Sequence, residues 1–98
     1  MADHPGVVFK DGPSGRRAAL AFGPDVWEVI KVVRELDERG EPAVEAAAEL
    51  LALPPAKVRV AMHYYAGYPE EIDGEIAEAD RVSAETERAW HVERQLLA

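Results

Sequence analysis

The stretch PPAKVRVAMHYYAGYPEEID, residues 54–73, changes character part-way along. Residues 54–69 carry no carboxylate, and then Glu70, Glu71 and Asp73 arrive together. Pro55 presets its own φ for a first helical turn while holding the residue before it extended, so a helix starts here and runs to about residue 67. Its spacing turns Val58, Ala61, Met62 and Tyr65 inward. Gly67, Tyr68 and Pro69 interrupt it, and Glu70 and Glu71 then fall in the first turn of a following helix, where negative charge complements the dipole. The acidic half of the stretch is therefore helix-start chemistry. The other half is a surface that an acidic chain leaves clear of anions.

Upstream, a shorter helix is expected from Pro42 to Ala52, with Val44, Ala47, Ala48 and Leu51 on one face and Glu45 and Glu49 on the other. Before it, Gly23, Pro24 and Asp25 open a first helix at about residues 24–39, on which Val26, Ile30, Val33 and Leu36 recur with Trp27 and Val29 alongside until Gly40. VVFK and AALAF flank DGPSGRR and read as two strands around a turn, for which Gly12, Pro13 and Gly15 supply the backbone angles. Alanine makes the second arm a weak strand.

Beyond Pro69 only Gly74 breaks a helical pattern that reaches Leu97, and such a helix extends about 40 Å. Ile72, Ile76, Ala79 and Val82 can return to a core, whereas Ala89, Trp90, Leu96 and Leu97 lie too far along it. The expected fold is mainly α: an N-terminal arm and β-hairpin (1–22), a three-helix core containing a helix-turn-helix (23–68) and a long C-terminal helix (69–98), all in one structural domain.

The 98 residues suffice for one modest core. With 48% hydrophobic and 31% charged residues the chain has a globular composition. It has no cysteine, which excludes disulfides and thiolate zinc sites. The N-terminus lacks the layout of a signal peptide and no apolar run can span a bilayer, so a cytoplasmic protein without membrane contact is expected. The net charge of −8 disfavours broad affinity for nucleic acid. Residues 69–98 hold three basic and nine acidic side chains, so most of the negative field lies there.

The helix pair around Pro54 has the proportions of a DNA-reading helix-turn-helix. Winding its second helix from Val58 places Ala56, Arg59, Val60, His63 and Gly67 outward, with Lys57 and Tyr64 on the flanks. Arg59 can fork onto a guanine edge, while Lys57 and the hairpin cations Lys10, Arg16 and Arg17 neutralise phosphates. The plainer alternative is a solvated helix face. A second candidate surface is a docking strip of Val82, Arg88, Ala89, Trp90, Arg94, Leu96 and Leu97, because aromatic, leucine and arginine side chains far from a core are interface material. Its occupant is a second protein, another copy of the chain, or the chain's own core. Catalysis finds little: Ser14, Ser83 and Thr86 have no neighbouring histidine, and His4, His63 and His91 lack metal-site spacing. No catalytic residue, metal or cofactor is expected. An enzyme would need the carboxylates of residues 70–80 gathered in a concave pocket.

RRAALAFGPDVWEVIKVVREL, followed by VRVAMHYYAGYPEEIDGEIAEAD, resembles small actinobacterial antitoxins of the VapB type, which are encoded beside PIN-domain ribonuclease toxins. The likeness covers residues 16–97, and YYAGYPEEID is its most particular element. It implies a helix-turn-helix antitoxin that binds its toxin through a C-terminal segment and represses its own operator DNA. A homodimer is expected with it, because a twofold protein on a palindromic operator doubles the contacts. It also implies an arginine offered to the toxin's acidic site, for which Arg81, Arg88 and Arg94 are the candidates. The hairpin departs from the usual winged arrangement by preceding the recognition helix. A non-DNA-binding helical adaptor and a DNA-binding regulator without a toxin are the alternatives.

Overall fold

The computed structural model describes residues 5–12 and 15–98. Pro13, Ser14 and His4, named above, lie outside the described residues. The elements run β1 (Val7–Gly12), β2 (Gly15–Leu20), α1 (Val26–Glu35), α2 (Glu41–Leu51), α3 (Pro55–Gly67) and α4 (Pro69–Leu97). The mainly helical fold with an N-terminal hairpin and a long terminal helix is thus present. No helix among the described residues is long and apolar enough to cross a membrane.

The two strands pair antiparallel, with Phe9 opposite Ala18 and Lys10 opposite Arg17. β2 stops at Leu20, two residues short of the expected AALAF arm, because Phe22 takes a left-handed φ of 57° and turns the chain towards α1. Ala18 and Leu20 close the core from the hairpin side. Asp25 starts α1, where its N–H donates to Glu28 Oε1 at 2.9 Å and its carboxylate accepts from Arg17 Nε at 2.6 Å.

α1 ends four residues before the expected point. Leu36 is extended at φ −80°, ψ 150°, dropping its side chain towards the core. Asp37 and Glu38 would have continued the helix with negative charge at its negative end. Arg39 instead donates to the Leu36 and Glu38 carbonyls at 2.9 Å, and Gly40 at φ 67° begins α2. α2 closes with Ala52 in the left-handed region and the Leu53 N–H on the Ala48 carbonyl at 2.9 Å. Pro54 and Pro55 then open α3.

Leu20, Val26, Val29, Ile30, Val44, Val58, Ala61 and Ile72 form the centre of the core, and α4 joins it chiefly along α1. Ile72 and Ile76 are buried and Ala79 is half-buried, while Val82 is 47% exposed and does not return to the core as expected. Gly74 does not interrupt α4: the helix continues unbroken, and every residue from 81 to 98 is exposed. Salt bridges from Lys31 to Asp80 and from Arg34 to Asp73 (3.0 Å) fasten the first part of α4 to α1.

Ile72→Ala is expected to lower the unfolding free energy by about 2–5 kcal/mol. Leu97→Ala, on the projecting part of the same helix, should change it by less than about 0.5 kcal/mol. Urea denaturation at dilute protein concentration reads both.

Candidate functional site

The quoted stretch folds into a latch. Across the turn at residues 67–69, the Tyr64 hydroxyl donates to Glu71 Oε2 at 3.0 Å and the Tyr65 hydroxyl donates to Asp73 Oδ1 at 2.8 Å. Tyr64 is 2% exposed, with its ring edge-on to Phe9 (6.3 Å between centroids) and tilted over Tyr68 (4.8 Å). Burial and the Glu71 carboxylate push its phenol well above the usual range. Asp73, bonded to both Tyr65 and Arg34, raises the Tyr65 phenol as well.

This corrects the expected outward face of α3. Tyr64, a candidate DNA contact, is a core residue, because the hairpin lies over one sector of α3. Phe9 covers Tyr64, the Lys57 ammonium donates to the Ala21 carbonyl at 2.8 Å, and a Cβ at Gly6 would stand 3.3 Å from Val60. What stays exposed is a narrower stripe of Ala56, Arg59, His63 and Ala66. Arg59 is 54% exposed and meets the Glu41 carboxylate in a two-pronged pair, at 2.8 Å from Nη2 and 3.1 Å from Nε. That pair holds Arg59 charged and lowers the Glu41 carboxyl. An exposed pair of this kind is worth little to stability, so the guanidinium can exchange Glu41 for another anion at small cost.

Two of the hairpin cations are engaged elsewhere. Arg16 stacks on Phe9 at 4.3 Å from the ring centroid, and Arg17 binds Asp25. Both line a cleft of about 310 Å³ with Trp27 of α1 and Glu71, Glu75 and Glu78 of α4. Lys10 is exposed on the strand opposite Arg17. The carboxylates that begin α4 thus wall a cleft rather than a flat helix face, facing arginines across it. Within it, Glu75 Oε1 is buried without a hydrogen-bond partner among the described residues. Burial raises the Glu75 carboxyl, as do the neighbouring Glu71 and Asp25, with Arg17 opposing them. Among the described residues no group of three or more histidine, aspartate or glutamate side chains is arranged to hold a metal ion.

The strip on the second half of α4 stands clear of the core. Trp90 is 50%, Leu96 81% and Leu97 78% exposed, and Val82, Arg88, Ala89 and Arg94 are exposed with them. The chain's own core is therefore not the occupant. Ile72, Ile76, Ala79, Ser83, Thr86, Trp90 and Leu97 follow one another at spacings of three, four or seven, so the face that packs on α1 continues past the end of α1 into solvent. Arg81 is held by Glu78 and by Glu85 at 2.6 Å, and Arg94 lies 4.8 Å over the Trp90 ring. Arg88 has no ion-pair or hydrogen-bond partner among the described residues.

No family model, curated protein or solved structure matches the chain. Three features escaped the sequence reading: the wholly exposed Phe22, the Glu41 partner of Arg59 and the buried carboxylate oxygen of Glu75. Glu75 falls three residues after Ile72 and one before Ile76, so inward neighbours on both sides were its only signal. Phe22 had none, because an aromatic after an alternating run reads as strand.

The raised Glu75 value carries a sign that can be checked. The stability this group contributes is complete below its ordinary value of 4.5 and is lost as pH rises through its elevated folded value. Glu75→Gln is therefore expected to stabilise the chain at about pH 7 and to give no gain below about pH 4. Thermal unfolding of both proteins across that range is the measurement.

Proposed function

We propose that the chain is a non-catalytic antitoxin whose projecting α4 arm engages a PIN-type ribonuclease and whose exposed α3 stripe contacts operator DNA for autoregulation. The observation that carries this reading is the continuation of a core-packing helix face into solvent, bearing an exposed Trp90 and Leu97 with an exposed Leu96 beside them. Large apolar side chains held on a rigid element are the anchors protein interfaces use.

The charge distribution along α4 supports the same reading. Residues 69–80 carry Glu70, Glu71, Asp73, Glu75, Glu78 and Asp80 with no lysine or arginine. In the arm, Arg81, Arg88 and Arg94 balance Glu85, Glu87 and Glu93. The acidic field belongs to the docked half of the helix, and the neutral arm can approach a carboxylate-lined metal site without net repulsion. Arg88, which no local acid engages, is the arginine best suited to be offered there.

The DNA contact rests on less surface than the sequence suggested. Arg59 and His63 keep their exposure, whereas the hairpin takes Lys57, Val60 and Tyr64. That cover favours, as a second reading, an adaptor that grips a protein through α4 and never reads DNA. The two readings part at Arg59→Ala. The antitoxin reading expects the affinity for DNA from upstream of the chain's own reading frame to fall by about 1–3 kcal/mol with partner binding intact. The adaptor reading expects no specific binding by either protein.

Partner capture is tested by co-expression with the product of the adjacent reading frame. The wild type should relieve the growth arrest that product causes. Trp90→Ala combined with Leu97→Ala should fail to relieve it while thermal stability stays unchanged. Full relief by the double variant would overturn the arm as the gripping element.

A further inference from the structure

The residues ERAWHVER, 87–94, have a symmetry that a hetero-partner does not require. Read against its own reverse, this octet sets Glu87 opposite Arg94, Arg88 opposite Glu93, Ala89 opposite Val92 and Trp90 opposite His91. Every charge meets its opposite, and the two rings meet at the centre. A parallel alignment sets glutamate on glutamate and arginine on arginine.

The helix gives that pattern a seam. Glu87 and Arg94 are seven residues apart and share one flank of the stripe that runs through Thr86, Trp90 and Leu97, the flank on which paired antiparallel helices place their charges against each other. Arg88 and Glu93 match in the reversed octet, but at about 100° per residue Arg88 winds to the far side of the helix, so the charge pair at the seam itself is Glu87 with Arg94. In the single chain these groups make local contacts among the described residues: His91 lies 4.0 Å from Glu87, and Arg94 stacks on Trp90. Because the arm carries no net charge, two copies approach without the repulsion that their docked halves would impose. A projecting helix of this length is marginal in water on its own, and a second helix along its apolar stripe removes that weakness.

We propose that the arm is a self-recognition element, and that two copies of the chain pair antiparallel along residues 84–97 with Glu87 of each opposite Arg94 of the other. This pairing does not depend on the antitoxin reading. If that reading also holds, the self-pair and the toxin complex use the same stripe, so toxin capture takes the dimer apart.

The full chain serves for the test, by sedimentation equilibrium across micromolar concentrations. Wild type should dimerise. E87R and R94E, each placing like charges across both symmetry-related contacts, should each weaken the dimer about tenfold or more. The E87R/R94E double variant should recover it, because the exchanged charges again face their opposites. Mixed together, the two single variants should form a heterodimer tighter than either homodimer. Both positions are exposed, and circular dichroism checks that each variant folds. A wild type monomeric throughout, or a dimer indifferent to the single charge reversals, would overturn the proposal, the latter placing the seam on another surface. Growth relief by the wild type alongside a monomeric result would sink the self-pair alone. A charge-sensitive dimer without growth relief would sink the toxin reading alone.

Discussion

Two tyrosine hydroxyls reaching over a Gly-Tyr-Pro turn to two carboxylates set the direction of everything that follows residue 69. Tyr64 and Glu71 are seven positions apart, and Tyr65 and Asp73 eight, so both bonds close only when α3 and α4 leave the turn at one mutual angle. Pro69 fixes the start of α4 and the tyrosines fix its inclination. Arg34 then ties Asp73 to α1, so the same carboxylate joins three helices. Because Tyr64 is also the floor on which Phe9 rests, the position of the hairpin depends on this latch as well.

The acidic residues that dominate the formal charge are used largely within the fold. Asp80 and Asp73 meet Lys31 and Arg34, Glu71 receives a phenol, and the cleft sets Arg16 and Arg17 against Glu71, Glu75 and Glu78. This division explains how one acidic chain presents two surfaces of another character. The outer stripe of α3 holds no carboxylate of its own, and the arm of α4 is balanced. The two surfaces lie on different helices, so a substitution in one leaves the other unaltered.

Much of the architecture was legible because it is punctuated locally. Gly23-Pro24, Gly40, Pro54-Pro55 and Gly67-Tyr68-Pro69 mark the helix boundaries through backbone geometry that each residue imposes on itself. What the sequence did not disclose depends on contacts between distant segments. Winding α3 about Val58 finds the side that faces α1 and α2, but the hairpin lies on an adjoining side, and nothing near Tyr64 announces Phe9. The pairing of Arg59 with Glu41, eighteen positions back, is likewise a product of how α2 and α3 cross. The reach of the arm was legible because a rigid helix of that length outruns a core built from so few residues, but the pattern left open whether Trp90 folded back onto that core.

An uninterrupted α4 also has a mechanical consequence. Anchored at Ile72 and Ile76 and unsupported beyond residue 81, it acts as a lever roughly 27 Å long at the standard helical rise. A tilt of about ten degrees at the anchor sweeps the tip by about 5 Å, and a load applied at the tip returns to the anchor as torque. The groups that would register that torque are Asp73 and Glu71, so whatever grasps Leu97 pulls, through stiff backbone, on the seat of the hairpin.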